Sequence, residues 1–277
     1  QTRNKFRQRS RLDQTGLPVP NFHLVRTESD LKEATDEIGF PAVLKPVWGA
    51  DSEFVVRVDD SDDADRVFKY LKANCTTDFN PIFHYNSGQF LYEEYVPGME
   101  VSVECIVQHG IPHATGIVEK LPALEPYFVE RGDVAPARLT DSARAKAVKI
   151  AEASLIALGV ENSLAHVEMK LSPDGLYLLD IASRMGGDYL HSWTKEIWDI
   201  DLVDAGLKIA TGQNMDLDWE RYRQPGCMIV GRYLIPERSG VVTKQRGLSD
   251  PTKCSTLFDV SVTKDIGDTV LVPPEGL

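Results

Sequence analysis

Two kinds of hydrophobic spacing alternate along the chain, one typical of helices and one typical of strands. Apolar residues three and four positions apart predict helices, whereas apolar residues at every second position predict half-buried strands. The spacing predicts helices over residues 4–15, 27–38, 63–73, 141–158 and 201–211. It predicts strands over residues 42–46, 90–95, 100–107, 114–119, 164–171, 176–181, 228–234 and 255–263. This order of elements favours an α+β fold with antiparallel hairpins over a repeating βαβ fold.

The strand predicted over 100–107 separates its apolar and polar residues onto two faces. One face carries Val101, Val103, Cys105 and Val107, and the other carries Glu100, Ser102 and Glu104. Because side chains alternate along a strand, we expect one face in the core and one polar face. The helix that begins near Thr27 has an equally clear signal, since Thr27 and Asp30 have the spacing of a capping box.

Composition and charge narrow the classes of protein that this sequence can represent. The chain has 277 residues, 42% hydrophobic and 26% charged, as in a globular protein. Its formal net charge of -12 argues against a nucleic-acid backbone as the main partner. No apolar run approaches the ~20 residues needed to span a bilayer, so no membrane partner is expected. The four cysteines form no CxxC pair, which argues against structural zinc or disulfides and predicts a cytoplasmic protein.

Two acidic residues, Glu168 and Asp180, lie on the two arms of a predicted hairpin. If the loop is the three residues Pro173-Asp174-Gly175, counting outward places Glu168 directly opposite Asp180. Like charges at paired positions repel each other, and a divalent cation between them would reverse this repulsion. A two-residue loop would instead place the acids on opposite faces and remove the metal hypothesis. The alternative interpretation is that both acids are solvated on an exposed sheet face.

The segment after Asp180 favours the metal hypothesis. It reads Arg184-Met185-Gly186-Gly187-Asp188, which supplies a fixed cation and a glycine pair where backbone can approach a ligand. An arginine beside a metal-bound triphosphate can hold an anionic intermediate through paired hydrogen bonds.

Five further motifs occur in the order in which the ATP-grasp superfamily carries them. They are Asn4-Lys5, Gly16-Leu17-Pro18-Val19-Pro20, Lys45-Pro46, Trp48-Gly49-Ala50-Asp51-Ser52 and Glu93-Glu94-Tyr95-Val96-Pro97-Gly98-Met99-Glu100. With the acidic hairpin they span most of the chain, so the sequence resembles this superfamily. The resemblance implies an α+β fold in which two subdomains with antiparallel sheets grip ATP between them.

The resemblance also implies a domain organisation. Residues 1–20 would be a linker helix that follows an N-terminal domain absent from this sequence, which starts at Gln1. Residues 21–97 would form the small subdomain, and residues 98–277 the large subdomain with a strand-rich C-terminal extension.

Roles for single residues follow from the same resemblance. Lys5, Lys45 and Ser52 would contact the phosphates of ATP, and the hinge that starts at Glu93 would hold the nucleoside. There the backbone at Glu94 and Val96 would read adenine, and the Glu100 carboxylate would accept the ribose hydroxyls. Glu168 and Asp180 would bind Mg²⁺, with Mn²⁺ as the alternative metal. Arg184 and Lys45 would be the catalytic residues.

Three positions depart from the pattern of the family. Asp180 stands where glutamate is usual, and Ala182 stands where asparagine usually supplies a further metal ligand. The second metal would then be held by Asp180, phosphate oxygens and water, or less firmly. Glu53 stands in the phosphate loop where glycine is more usual, so we expect its carboxylate to point away from phosphate, or to contact metal or another partner.

The run from Lys120 to Pro136 resembles the branch that joins amino acids into peptides. The resemblance implies a small-molecule carboxylate and a small-molecule amine as partners and a reaction through an acyl phosphate. The sequence does not determine the oligomeric state, but dimers are common among relatives, so a homodimer is one candidate assembly. Candidate substrate residues are Lys120, Arg131, Gly186, Gly187 and Asp188, and Trp193 and Tyr189 could wall a pocket or simply pack in the core. His166 would lie at the metal rim or serve as a structural hydrogen-bonding residue.

Other functions remain open from the sequence alone. One is an ATP-grasp ligase acting on a purine or carboxylation intermediate of primary metabolism. Another is an ATP-grasp kinase that phosphorylates a hydroxyl, and a third is a nucleotide-binding module without turnover. Ala182 and Glu53 favour this last alternative, whereas the presence of Lys5, Lys45 and Arg184 argues against it.

Overall fold

The computed structural model describes residues 2–246, 256–257 and 259–273. The chain divides into two compact units, residues 1–232 and 233–277, which we call the main unit and the C-terminal unit and describe separately. Among the described residues, no helix is both long and apolar enough to cross a membrane.

The first sheet of the main unit is four-stranded and antiparallel, in the order β1-β4-β2-β3. Its strands are β1 Phe22–Val25, β2 Ala42–Pro46, β3 Val56–Val58 and β4 Phe90–Glu94. Two helices pack on it, α2 Glu28–Ile38 and α3 Ser61–Asn74, and close a hydrophobic core of their own. We call this part the small sheet.

The second sheet is six-stranded, in the order β10-β7-β6-β5-β8-β9, and we call it the large sheet. Its strands are β5 Met99–Gln108, β6 Ile111–Lys120, β7 Asp133–Ala135, β8 Ser163–Ser172, β9 Gly175–Ala182 and β10 Ile229–Val230. The remaining helices are α1 Lys5–Gln14, α4 Asp141–Ala157, α5 Leu190–Trp198 and α6 Leu202–Ala210, and short 3-10 turns cover Pro81–Tyr85 and Arg221–Arg223. All strand pairs in the main unit are antiparallel, which confirms the predicted fold class.

The local signals for the long elements are confirmed. The side chain of Thr27 accepts the Asp30 N–H at 3.2 Å, and the Asp30 carboxylate accepts the Thr27 N–H at 3.0 Å, so the capping box is complete. Along β5, Val101, Val103 and Cys105 enter the hydrophobic core as the alternation predicts.

Several elements were not predicted. Strands β1, β3 and β7 are only three or four residues long, too short for a periodic pattern to stand out. Helix α5 follows a loop of unusual backbone, since Asp188 and Tyr189 both have positive φ. The strand predicted over 255–263 is wrong in its described residues, and the C-terminal unit instead pairs β11 Gly240–Val241 with β12 Thr269–Val270.

The hairpin of β8 and β9 has a different loop from the predicted one. Ser172 pairs with Gly175, so the loop is the two residues Pro173-Asp174 rather than three. A β-bulge between Glu168 and Met169 then leaves Leu179 as an extra residue on β9. The bulge shifts the register by one residue, so Glu168 is paired with Asp180 after all. The predicted pairing is confirmed, but the reason given for it was wrong.

The segment from α1 to residue 20 runs along the outer edge of β9. The Leu178 N–H donates to the Pro18 carbonyl at 2.9 Å, and the Gln8 side-chain amide donates to the Ile181 carbonyl at 2.8 Å. Because β9 is an edge strand, these contacts satisfy backbone groups that no neighbouring strand can reach.

Candidate active site

A cavity of about 570 Å³ is lined by residues of both sheets, α1 and the loop before α5. Most of the predicted site residues line it: Lys5, Lys45, Ser52, Glu93, Glu94, Val96, Glu100, Lys120, Glu168, Asp180, Arg184, Gly187 and Asp188. Arg131 and Gly186 do not line it, although Gly186 packs against Leu190 and His166, which do. The sequence positions that the family pattern selected therefore converge on one cleft.

Glu168 and Asp180 lie side by side at this cleft, on adjacent strands. Burial would raise the pKa of Glu168, but Lys120 and His166 hold it well below its usual range. Burial would likewise raise the pKa of Asp180, but Lys5 keeps it below its usual value. Two ionised carboxylates at paired positions form a donor set that fits Mg²⁺, which binds one or two carboxylates together with phosphate oxygens and water.

Three lysines lie against the acidic groups of the cleft. Lys5 contacts the Asp180 carboxylate, and Lys45 contacts the Glu93 carboxylate. Lys120 Nζ lies 2.6 Å from a Glu130 oxygen and 3.6 Å from a Glu168 oxygen. These cations offset the carboxylates within the cavity and are positioned to contact an anionic ligand there.

Lys45 is almost fully buried at the end of β2, where Pro46 closes the strand. Burial lowers the pKa of Lys45, and the neighbouring cations Arg9 and Lys5 lower it further, although Glu93 opposes this effect. Burial would raise the pKa of Glu93, but Arg9 and Lys45 hold it below its usual range. The Glu93 side chain is therefore a buried counter-ion of Arg9 and Lys45.

His166 joins Glu168 to a buried glutamate. Its Nδ1 lies 2.5 Å from Glu104 Oε1, and its Nε2 lies 3.1 Å from Glu168 Oε1. Burial disfavours the charged ring, yet Glu104 and Glu168 raise the pKa of His166 to about 10, so both ring nitrogens donate at neutral pH. Both interpretations of His166 hold in part, since the ring borders the cavity and also makes structural hydrogen bonds.

The loop after β9 is anchored to the same buried glutamate. Glu104 Oε2 accepts the Gly186 N–H at 3.1 Å. A Cβ atom on Gly186 would lie 2.8 Å from Leu190 Cδ1 and 2.9 Å from Glu104 Oε2, so a larger residue would force these side chains to move. Packing therefore favours glycine at position 186, whereas an added Cβ at Gly187 would meet nothing within 4 Å.

The predicted phosphate loop has a strained backbone. Asp51, Ser52 and Phe54 all have φ between 55° and 59°, in the left-handed region. Such strain is typical of ligand-binding turns. Glu53 Oε2 accepts a hydrogen bond from Asn80 Nδ2 at 2.8 Å, so the expectation that Glu53 contacts another partner is confirmed.

The hinge between the sheets runs from β4 to β5. At its centre Gly98 has φ 128, and an added Cβ would lie 2.0 Å from the Leu171 carbonyl oxygen, which requires glycine. Glu100 pairs with Lys170 across the strands, with 3.5 Å between Oε2 and Nζ. Burial and the nearby Glu168 charge raise the pKa of Glu100.

Three carboxylates form a cluster beside Lys120. Oxygens of Glu130, Asp133 and Asp188 lie within 4.8 Å of one another. Burial and the Glu130 charge raise the pKa of Asp188 to about 6. The aromatic residues considered for this region do not line the cavity: Trp193 is buried against Gly231, and Tyr189 is 52% exposed.

Sequence reasoning missed three buried polar residues that support the site, namely Gln8, Arg9 and Glu104. Each is 0% exposed. One signal for two of them exists in α1, where Gln8 and Arg9 precede the buried Leu12 by four and three positions and so share its inward face. The alternation along β5 places Glu104 on the polar face of its strand and gives no sign of its burial.

Comparisons with known proteins agree with this geometry. The family model of the ATP-grasp domain matches residues 38–192. The chain is 27% identical to alanine–anticapsin ligase of Bacillus subtilis over 249 residues, which are 85% of this chain and 52% of that protein. It is 28% identical to human (Homo sapiens) carnosine synthase 1 over 202 residues, which are 70% of this chain and 24% of that protein.

A solved structure shares nearly the whole fold. L-amino acid ligase from Bacillus licheniformis superimposes with a TM-score of 0.84 at 27% identity, covering 99% of this chain and 65% of that one. The chain spans about half the length of the bacterial relative and about a quarter of the human one. The sheets, the cleft and the family match lead to one conclusion: this chain belongs to the ATP-grasp family, whose enzymes use ATP with a divalent metal.

Proposed function

We propose that the chain is the nucleotide-binding and catalytic part of an ADP-forming ligase that joins a carboxylate to an amine. The observation that carries the proposal is the pairing of Glu168 with Asp180 in one cavity with Lys5, Lys45 and Arg184. The names of the relatives support it, since an amino-acid ligase, an anticapsin ligase and carnosine synthase are among them. The substrates are proposed to be amino acids or small peptides.

The two sheets support a division of the chain into subdomains. We infer a linker helix over 1–20, a small subdomain over 21–97 and a large subdomain over 98–277 that includes the C-terminal extension. The supporting observation is that each sheet has its own hydrophobic core and that both border the cavity.

The nucleotide is proposed to lie between the sheets. Lys5, Lys45 and Ser52 line the cavity, and they would contact its phosphates. Glu94 and Val96 border the same cavity at the hinge, and Glu100 lies where β5 begins, so the base and ribose would sit there.

Glu168 and Asp180 would hold the divalent metal, with Mg²⁺ proposed and Mn²⁺ as the alternative. When bound, the metal would offset the charge of the phosphates during phosphoryl transfer. Ala182 supplies no ligand, so the protein would contribute two carboxylates rather than two carboxylates and an amide.

The chemistry needs no protein nucleophile. A substrate carboxylate takes the γ-phosphoryl group of ATP, which gives an acyl phosphate and ADP, and an amine then attacks the acyl carbon and expels phosphate. The residues of this chain would position the reactants and offset negative charge, which is the main requirement of phosphoryl transfer. Arg184, exposed to the cavity, would hold the anionic oxygens of the intermediate.

The acceptor end of the site is proposed to lie near Lys120, Gly187 and Asp188, which border the cavity. Gly186 would support residues that line the cavity without lining it itself. For Arg131, only the sequence resemblance supports a role in substrate binding. A small-molecule carboxylate and amine are the proposed partners, and a cytoplasmic homodimer is the proposed form of the protein.

The deciding experiment measures phosphate release from ATP and Mg²⁺ across pairs of amino acids, with mass detection of products. Release that needs both amino acids, with a product mass equal to their sum minus water, supports the ligase. An amine-independent phosphoester would instead indicate a kinase, and nucleotide binding without turnover a binding module.

Two variants test the metal site within that assay. Glu168→Gln and Asp180→Asn keep the size of each side chain but remove its charge, so each should lower turnover by about 100-fold or more, as loss of a main electrostatic group does. Lys146→Gln, on helix α4 outside the cavity, is the control and should keep full turnover. Full activity in either acid variant would rule out the proposed metal ligands.

A further inference from the structure

We infer that Arg9 is a positioning residue that sets both halves of the proposed site at once, an inference that rests on the proposed function. Its guanidinium fixes the β9 bulge that brings Asp180 opposite Glu168, and it offsets Glu93 so that the charge of Lys45 is left for phosphate. Arg9 lies behind the cavity wall and does not line it.

Side chains of α1 contact the backbone on either side of Asp180. The Arg9 guanidinium donates to the carbonyl of Leu179, the extra residue of the bulge. The side chain of Gln8, the preceding residue, donates to the Ile181 carbonyl at 2.8 Å. Both carbonyls belong to an edge strand, so the two side chains hold the segment 179–181 in its shifted register.

The register decides whether a metal can bind. Without the bulge, the two-residue loop would pair Glu168 with Leu179 and turn Asp180 to the other face. The carboxylate pair therefore depends on a local irregularity, and Arg9 is the charged side chain that contacts it.

Arg9 also changes the balance of charge around Glu93. Arg9 Nε contacts one oxygen of Glu93, and Lys45 contacts the other, with side chains only 0%, 3% and 9% exposed. Two cations around one anion leave a net positive charge at the cavity end. With Arg9 removed, Lys45 and Glu93 would form a neutral buried pair, and Lys45 would attract phosphate less strongly.

Arginine suits this position better than lysine would. The planar guanidinium presents five donors in fixed directions, and here it reaches Glu93, the Leu179 carbonyl and, at 3.3 Å, Gln8 Oε1. A lysine at position 9 would keep the charge near Glu93 but could not hold all three acceptors.

The test measures ADP affinity of the whole chain by calorimetry, once with excess Mg²⁺ and once in EDTA. The ratio of the two dissociation constants is the metal-linked affinity. Arg9→Lys keeps the charge and loses the fixed fork, so the metal-linked affinity should fall by about tenfold or more, as for residues that orient metal ligands. Affinity in EDTA should change little. Arg9→Gln should lower both the metal-linked affinity and the affinity in EDTA, because it removes the charge as well.

Arg11→Gln is the matched control. Arg11 lies on the same helix and donates to a backbone carbonyl, that of Ala157, at 2.9 Å, but it is exposed and away from the cavity. It should leave both affinities unchanged. Melting temperature and circular dichroism of each variant report folding separately from binding.

The outcomes distinguish the two proposals. If the unsubstituted chain binds no ADP with Mg²⁺, the proposed function fails, and the role of Arg9 fails with it. If that chain binds but folded Arg9→Lys retains its metal-linked affinity, Arg9 is only a structural ion pair. If both Arg9 variants fail to fold, Gln8→Ala decides on the same readout. It removes the donor to the Ile181 carbonyl beside the bulge, together with the contacts of Gln8 to the Thr2 carbonyl and to Arg9. An unchanged metal-linked affinity overturns the proposal, and a loss supports it.

Discussion

Gly186 contributes both to the packing of the interior and to the arrangement of the candidate site. Its N–H donates to Glu104, which also holds His166 next to Glu168. The space around its Cα is filled by Leu190 and by the same Glu104 and His166 side chains. A single methyl group at this position would therefore disturb three neighbours at once.

The first residue-scale prediction compares the two adjacent glycines. Gly186→Ala should lower the free energy of unfolding by about 1–3 kcal/mol, the usual cost of overpacking a filled interior. Gly187→Ala is the control, because an added Cβ there would meet nothing within 4 Å. Chemical denaturation of both variants measures the difference, and equal stability would contradict the packing at Gly186.

The sequence did not predict which charged side chains are buried. Glu104 reads as one more polar residue on the outward face of a strand, and Arg9 as one of several basic residues on a polar helix. Both are fully buried because their partners come from distant segments: His166 is 62 positions from Glu104, and Leu179 is 170 positions from Arg9. No local pattern carries that information.

At the scale of elements, the start of helix α2 could be predicted from local sequence alone. Thr27 and Asp30 form the capping box that their spacing predicts. The Asp30 carboxylate accepts backbone N–H groups of Arg26 at 2.8 Å and of Thr27 at 3.0 Å. These groups are within four residues of one another, so no tertiary contact was needed to predict them.

A prediction for this cap follows from its charge. The hydrogen bond from the Arg26 N–H lowers the pKa of Asp30, so the ionised form stabilises the fold. A depressed carboxyl pKa contributes stability above the unfolded-state value near 3.9, and this contribution is lost as pH falls through the folded-state pKa. Asp30→Asn should therefore destabilise at pH 7, with a difference that shrinks towards pH 3.

The measurement is the melting temperature of Asp30→Asn and the unsubstituted chain between pH 7 and pH 3. Glu33→Gln, on the same helix and exposed, corrects for the general effect of acid. Thr27→Ala should cost about 1 kcal/mol at pH 7, since it removes the hydroxyl that caps the Asp30 N–H. A pH-independent deficit in Asp30→Asn would contradict the charge argument.

The hairpin of β8 and β9 shows the limit of pattern reasoning for an element. Alternation located both arms correctly, but the loop is Pro173-Asp174 and not three residues. Loop length alone would have put Glu168 and Asp180 on opposite faces. The bulge that corrects the register is held by side chains of α1, so it belongs to tertiary structure.

At the scale of the whole molecule, the cleft joins two sheets that each have a core. Arg9 and Gln8 on α1 contact the large sheet, and Arg9 also contacts Glu93 of the small sheet. A ligand that touches both sheets should therefore stabilise them together.

The prediction is a rise in melting temperature with nucleotide and metal. ADP with Mg²⁺ at about 100 times its dissociation constant should add about 2.7 kcal/mol to the free energy of unfolding, since a ligand of the folded state stabilises by mass action. EDTA should remove most of the rise, and Asp180→Asn should show the smaller rise even with Mg²⁺. A melting temperature insensitive to the metal would count against the acidic pair as its ligands.

The sequence by itself determined two kinds of feature: those that depend on residues within a single helix or strand, and those that depend on the order of motifs along the chain. These include the strand that ends at Lys45-Pro46, the two faces of β5, the cap of α2 and the resemblance to the ATP-grasp superfamily. Each depends on residues a few positions apart or on identities at fixed spacing, and so is visible without knowledge of contacts.

Tertiary structure alone decided which polar groups are buried and which candidates share one cavity. It brought Glu168, Asp180 and Lys5 together, left Arg131 outside the cavity lining, and turned Trp193 into a packing residue. The physical reason is that an edge strand needs partners for its backbone and a buried charge needs a counter-charge. In this fold those partners lie in distant segments of the chain: Glu104 and His166 are 62 residues apart, and Lys5 and Asp180 are 175 residues apart.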